Sequence, residues 1–476
     1  MNQLGLFGAA VTLAVTAVPG LAQLPVGFRT PDGSMVVLLP AGGPPLVHWA
    51  VATPCGPQVD PPTAPGTAAA AMLASMRGTW ATGSLDAEKE KQTLAALDAA
   101  ETDLVLAPRA DGQPPAELVQ KVEALRAAAA ALCDPQAFRR VLAATPTQDV
   151  TVRFDGDVAL LEFTTVPFAV PALARLLVQR REAQALRQVR EDLQQLQDSA
   201  VAAWDREPLS PLYAEVLALS FPGHPLARSG DRPVVAGFRR EFATATWGRA
   251  QHPVRTVHVL TGSFDVAAVR TALEQAFAAT ALPAQEPLVR ATPRAQTALR
   301  RALVPGAHHP AAVLAFPIPA MADPVAVATA ADWFAGGRGS WLQGELVRQG
   351  RKRVEVAVRA PWPPASSPGL VVIEVQDPEG GAVTIADEVL KLCAAAVKKE
   401  PRPGDLPGAF GTVLHDFELR THRPLDEAGQ FASWLLQTNE STLPWLLPHN
   451  VGYPDLPALL QRILDGNPVV IEWRDA

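Results

Sequence analysis

The feature that most constrains this chain is that its pattern of strands and helices runs twice. From residue 27 the order is strand, loop, small-residue helix, strands, long helix and final strand. A Pro- and Ala-rich stretch follows over residues 281–293, and the same order restarts near residue 313 and closes with a strand at 468–473. Duplication of that kind predicts two α+β domains built alike. Length requires the same division, because 476 residues exceed what one hydrophobic core supports.

In the first half, residues 35–39 and 47–52 read as strands, a hairpin or neighbouring pair across the Gly-Pro turn at 41–45. Pro65 and Gly66 open a helix from 67 to about 77, which Gly78 ends. Residues 86–107 and 115–132 carry helical periodicity and predict a helical hairpin. Two strands then flank Asp155, Gly156 and Asp157 within 150–165. One long helix is expected over 170–204, with its Arg-, Glu- and Gln-dense middle at 180–197 as a solvated face. A strand at 255–262 and an amphipathic helix at 266–279 complete the half. The second half predicts strands at 313–316, 354–359, 370–375 and 468–473, and helices at 323–334 and 383–399. Asp323 is the expected cap of the first of these, and Pro324 its first residue.

With 48% hydrophobic and 19% charged residues the chain can bury substantial cores, which argues against global disorder. A net charge of -7 supplies no footprint for nucleic acid and no polybasic patch for anionic lipid, which leaves peptides or proteins as partners. The apolar run 4–18 ends in Pro19, Gly20, Leu21 and Ala22, which reads as a secretory signal over 1–22 cleaved after Ala22. The expectation is an exported protein, periplasmic or extracellular, with no membrane span in the mature chain. Cys55, Cys133 and Cys393 show no CxxC spacing. Buried small side chains are the simpler reading for them, and one disulfide remains open.

The segment from Gly66 to Thr79, with Ala69, Met72 and Leu73 inside it, resembles the pitrilysin/insulinase zinc-peptidase helix, in which H-x-x-E-H lies between a leading Gly and a terminal Gly-Thr. Three further segments follow in family order: Phe221 to Arg228 with His224-Pro225, residues 255–277 with Gly262, Phe264 and Asp265, and Gly336-Gly337 to Leu346 with Ser340. Together they cover nearly all of the mature chain. The resemblance implies two tandem homologous α/β-sandwich domains, of the pitrilysin-like or LuxS-like metallohydrolase fold, facing each other as a clam. It divides the chain into an N-terminal domain over 24–280, with a helical-hairpin insertion at about 86–132, a linker over 281–300 and a C-terminal domain over 301–476.

The inverted motif needs two His one turn apart for zinc, a Glu as general base and a later carboxylate as third ligand. Matched residue by residue, the first His falls on Ala69, the Glu on Met72 and the second His on Leu73. The third ligand falls on Gln194 or Gln195, with Glu191 close by. Residues 63–79 contain no His, Asp or Glu, so a shift of register does not rescue the motif. The family's substrate-gripping Arg and Tyr fall on Val347, or Arg348 with a one-residue slip, and on Val354. The resemblance therefore implies a pseudoenzyme with no metal and no cofactor. It would be a partner subunit of an active zinc peptidase or a peptide-binding protein acting alone.

Rival sites are weaker. His415, Glu418 and His422 share one face of an expected helix, where a solvated charged surface is the better account. His308 and His309 would point to opposite sides of a strand. Gly336, Gly337 and Gly339 lack the Gly-Lys-Ser/Thr of a phosphate loop, Ser340 lacks a nucleophile elbow, and His224 suits a loop-ordering hydrogen bond. A hydrolase using one of these sites, or a scaffold using the inserted hairpin, are the alternatives.

Overall fold

The computed structural model describes residues 25–108, 113–206, 209–228, 233–235, 238–278, 292–294, 296–305, 311–319, 324–337, 339–362, 369–378, 382–396, 409, 411–413, 424–438 and 456–474. They fall into two compact units. One lies within Pro19–Ala202 and Arg232–Pro287, the other within Ala203–Asp231 and Leu288–Ala476.

The first part of the chain lays down β1 (Val26–Arg29), β2 (Met35–Pro40), β3 (Val47–Pro54) and α1 (Thr67–Ser75). There follow α2 (Ala87–Leu106), α3 (Ala116–Ala131), α4 (Ala137–Ala144), the hairpin β4 (Thr147–Asp155) and β5 (Val158–Thr165), α5 (Val170–Glu182) and α6 (Val189–Arg206). After α7 (Ser210–Ser220) come α8 (Arg240–Ala250), β6 (Val257–Gly262) and α9 (Val266–Ala276). The remainder contains β7 (Arg300–Pro305), β8 (Ala311–Pro317), α10 (Pro324–Ala335), α11 (Trp341–Arg348), β9 (Glu355–Trp362), β10 (Leu370–Gln376) and α12 (Ala382–Ala396), then helices Pro424–Thr438 and Leu456–Leu464, and β11 (Val469–Arg474).

The strand orders are β1-β2-β6-β3-β5-β4 and β7-β11-β8-β10-β9. Without β1, the two orders are the same. In both, the last strand in sequence runs parallel to the first strand of the five and antiparallel to the second. The chain is thus a duplicated α+β design, as the repeated pattern predicts.

Three sequence expectations need correction. β2 and β3 are not paired, because β6 lies between them. This is possible because Gly262, at φ 131°, passes the Leu46 carbonyl so closely that a Cβ would lie 2.1 Å from its oxygen. The long helix expected over 170–204 is two helices, broken at 183–188, where Leu186 and Gln188 take φ of 45° and 56°. The break turns Arg187 inward.

The third correction concerns connectivity. The expected boundaries put all of 24–280 in the first domain, whereas α7 packs in the second unit. There Leu212, Val216 and Leu217 cover Val313, Ala315, Val372 and Ile471 on one face of the second sheet. Alternation along the strands sends Leu314, Phe316, Ile373 and Val470 to the other face, against α10, α11 and α12. In the first sheet Val36, Leu38, Trp49, Leu161 and Phe163 pack against α1, α5, α8 and α9.

Candidate functional site

The candidate site is built around α1. Asp60 fastens its start, with one carboxylate oxygen accepting from the Gly66 N–H at 2.7 Å and the other from the Ala68 N–H at 2.6 Å. Gly66 has φ 85°, and a Cβ there would stand 2.8 Å from Pro233 and 3.1 Å from Leu193 of α6. Glycine therefore lets the helix start close against α6. Ala68, Ala70, Ala71 and Ala74 favour helix and fill the buried side with little bulk. Ala69 and Leu73, at i and i+4, are the half-buried positions between Thr67 and Ser75 and share a face. Met72 faces inward and is buried.

Under Met72 lies a buried cation. The Arg180 guanidinium donates to Ser75 Oγ at 2.7 and 3.0 Å and to Met72 Sδ at 2.8 Å, and stacks over the Trp247 ring at 5.0 Å. Burial pushes its pKa down to about 9. The position matched to a general base thus holds a soft acceptor under a guanidinium.

On α6, Gln194 points outward and donates to Asp198 at 2.9 Å, whereas Gln195 and Asp192 face a cavity of about 770 Å³ that Leu73 also lines. Of the three positions considered for a third ligand, only Gln195 reaches that cavity. Glu191 lies instead 3.7 Å from Arg126 of α3. Asp192 is held by Arg77, with one contact at 2.5 Å, and its burial raises the carboxyl pKa against the lowering effect of that guanidinium. Apolar Met76, Leu142, Val150 and Val152 complete the floor.

A second charged layer ties the α2–α3 hairpin to this region. Arg187 meets Glu90 at 2.5 and 2.9 Å with both side chains buried, and also donates to the Thr79 carbonyl at 3.1 Å. Arg240 lies 3.4 Å from Asp98, and Arg126 lies 2.6 Å from Glu101. Burial pushes Asp98 up to about 6, with Arg240 opposing and Glu101 and Glu241 adding to the rise. The stretch 180–197 was expected to be a solvated face. Arg180, Arg187 and Asp192 instead point inward, each 2% exposed. The sequence signal was faint: Ser75, Arg77 and Thr79 are polar in a segment made mostly of Ala, Met and Leu.

Among the described residues, no three His, Cys, Asp or Glu side chains come together as a metal would require. His224 Nδ1 accepts from the Leu226 N–H at 3.1 Å, which is a loop-ordering bond. Gly336 and Gly337 follow the end of α10, and Ser340 caps α11 through Gln343 N–H. Arg348 pairs with Glu345, Val347 is exposed and Val354 is buried. Cys55, Cys133 and Cys393 are free thiols. Burial raises Cys55 well above its usual value and Cys393 to about 12. The expected signal segment 1–22, most of the expected linker 281–300, His308, His309, Asp323, His415, Glu418 and His422 lie outside the described residues. Among the described residues no helix is long and apolar enough to cross a membrane.

No family model matches this sequence, and no curated protein matches it. Solved structures do. A protease from Helicobacter pylori superposes with a TM-score of 0.66 at 14% identity, over 94% of this chain and 99% of that one. A peptidase M16 inactive domain from Pseudomonas fluorescens gives 0.63 at 14% identity, over 95% and 98%. The periplasmic protease PqqL from Escherichia coli gives 0.58 at 13% identity, over 100% of this chain and 48% of that one. The duplicated sheets, their matching order and these superpositions over nearly the full chain place the protein in the fold of the M16-like, pitrilysin-type peptidases.

Proposed function

We propose that this protein is an exported, non-catalytic homologue of the M16-like peptidases that binds peptides and works as the partner subunit of a zinc-bearing relative. One observation carries the reading. The face of α1 that would present two imidazoles and a carboxylate carries Ala69 and Leu73, and Met72 beside them is engaged by Arg180. A divalent zinc ion requires nitrogen, oxygen or thiolate donors, and a methyl, an isobutyl group and a thioether under a guanidinium supply none that suits it. The described inactive state of the Pseudomonas fluorescens relative supports loss of chemistry within this fold, and the periplasmic relative supports export.

Elemental analysis of the purified full-length chain and light scattering after co-expression with an H-x-x-E-H-bearing relative test the proposal. The expected outcome is less than stoichiometric zinc and a one-to-one heterodimer. Stoichiometric zinc would overturn the non-catalytic reading, and a chain that stays monomeric beside the relative would overturn the partner role.

A further inference from the structure

We propose that the cavity beside α1 takes the C-terminal end of a peptide, with the terminal carboxylate on Arg139 and an apolar last side chain on Leu73, Met76 and Leu142. The inference rests on the peptide-binding reading above and specifies which part of a peptide this cavity accepts. At about 770 Å³ the cavity holds a few residues and not a folded partner. Its floor is apolar, with Met76 7% and Leu142 5% exposed.

The charges decide the sign of the ligand. Arg77, Arg139 and Asp192 line the cavity, and Arg77 and Asp192 neutralise each other in their ion pair. Arg139, exposed on α4, has no carboxylate partner among the described residues. One uncompensated guanidinium over an apolar floor favours an anion, and its planar fork matches a carboxylate.

The remaining polar groups decide what carries that carboxylate. Gln136, Gln188 and Gln195, all exposed, line the cavity. Each offers both donors and an acceptor, as peptide groups require. A fatty acid has no amide to engage them. Carboxylate, amide chain and apolar side chain occur together at the end of a peptide.

The test uses the full-length chain and a fluorescein-labelled pool of random hexapeptides ending in Leu, made once as the free acid and once as the C-terminal amide, with anisotropy as the readout. The free-acid pool is expected to bind about tenfold tighter than the amide pool, since a charge-assisted hydrogen bond is lost in the amide. Arg139→Gln, at an exposed position, is expected to abolish that difference and leave the amide pool unchanged. Thr151→Asp, which adds a negative charge at the rim, should weaken the free acid alone. Equal binding of the two pools would overturn the carboxylate assignment while leaving peptide binding in place. No binding of either pool to a chain that is folded by circular dichroism would overturn both. Competition by octanoate at the concentration where the peptides compete would move the ligand to free amphiphilic acids and sink the proposal.

Discussion

Two helices at equivalent points of the duplicated topology, α1 after β3 and α10 after β8, are held by opposite kinds of interaction. Val327, Ala330, Ala331 and Phe334 of α10 are buried at 0 to 1% exposure, and Phe334 stacks on Trp341 with centroids 5.7 Å apart. Around α1 the same task falls to Arg180, the Arg187–Glu90 pair and the Arg77–Asp192 pair. Among the described residues of the second unit the nearest counterpart, Arg351 with Asp377 and Glu388, leaves its side chain 18% exposed, so fully buried guanidinium groups are particular to the first unit. Buried charges are poor stabilisers unless fully paired. Their concentration beside the cavity ties them to the site and to the α2–α3 hairpin.

The sharpest way to break this comparison is to remove one partner on each side. Glu90→Ala leaves Arg187 buried without its counter-charge and should cost about 3–5 kcal/mol. Phe334→Ala opens a cavity in an apolar core and should cost a similar amount, about 3–5 kcal/mol. Urea unfolding followed by fragment-resolved hydrogen exchange should show the first loss only in the first unit and the second only in the other. A variant that weakens both units equally would end the contrast.

The next effect depends on pH. The Asp98 carboxyl has a folded pKa of about 6, above its ordinary 3.8, so between those values the native chain holds more protons than the unfolded one. Stability therefore falls as pH rises through this window and stays lower above it. Asp98→Asn should stabilise the hairpin by roughly 2 kcal/mol at pH 7.5, and the gain should shrink as pH is lowered from 6 to 4. A gain that is the same at both ends of the range would remove Asp98 as the titrating group.

Smaller effects sharpen the picture at Arg180. Ser75→Ala strips a buried guanidinium of its oxygen acceptor and should cost about 1–3 kcal/mol. In an Arg180→Met background the same change should cost almost nothing, which a double-mutant cycle would read directly. Met72→Leu, which keeps the volume and loses the sulfur acceptor, should cost about 1 kcal/mol.

Much of the architecture was legible because it follows local rules. Short apolar runs marked β5, β6, β8 and β10, and Gly156 closed the β4–β5 turn. The helix carrying Ala69, Met72 and Leu73 was also readable, from its small residues and flanking glycines. What stayed hidden depended on distant partners. Nothing within 170–204 announces that Arg187 turns in to meet a glutamate ninety-seven positions earlier. Likewise α7, which no sequence expectation covered, is received by a sheet written in residues beyond 300. Placing β6 between β2 and β3 needed a backbone contact between Leu46 and Gly262, which no periodicity encodes.

The crossing of residues 203–231 into the second unit has a consequence for how the polypeptide is made. The cover for Val313, Val372 and Ile471 leaves the ribosome before the sheet it covers exists. A fragment started at residue 288 would carry a bare greasy slab and would clump, while one started before residue 203 would bring its own lid. A gene cut at the proline-rich junction could not yield two sound halves.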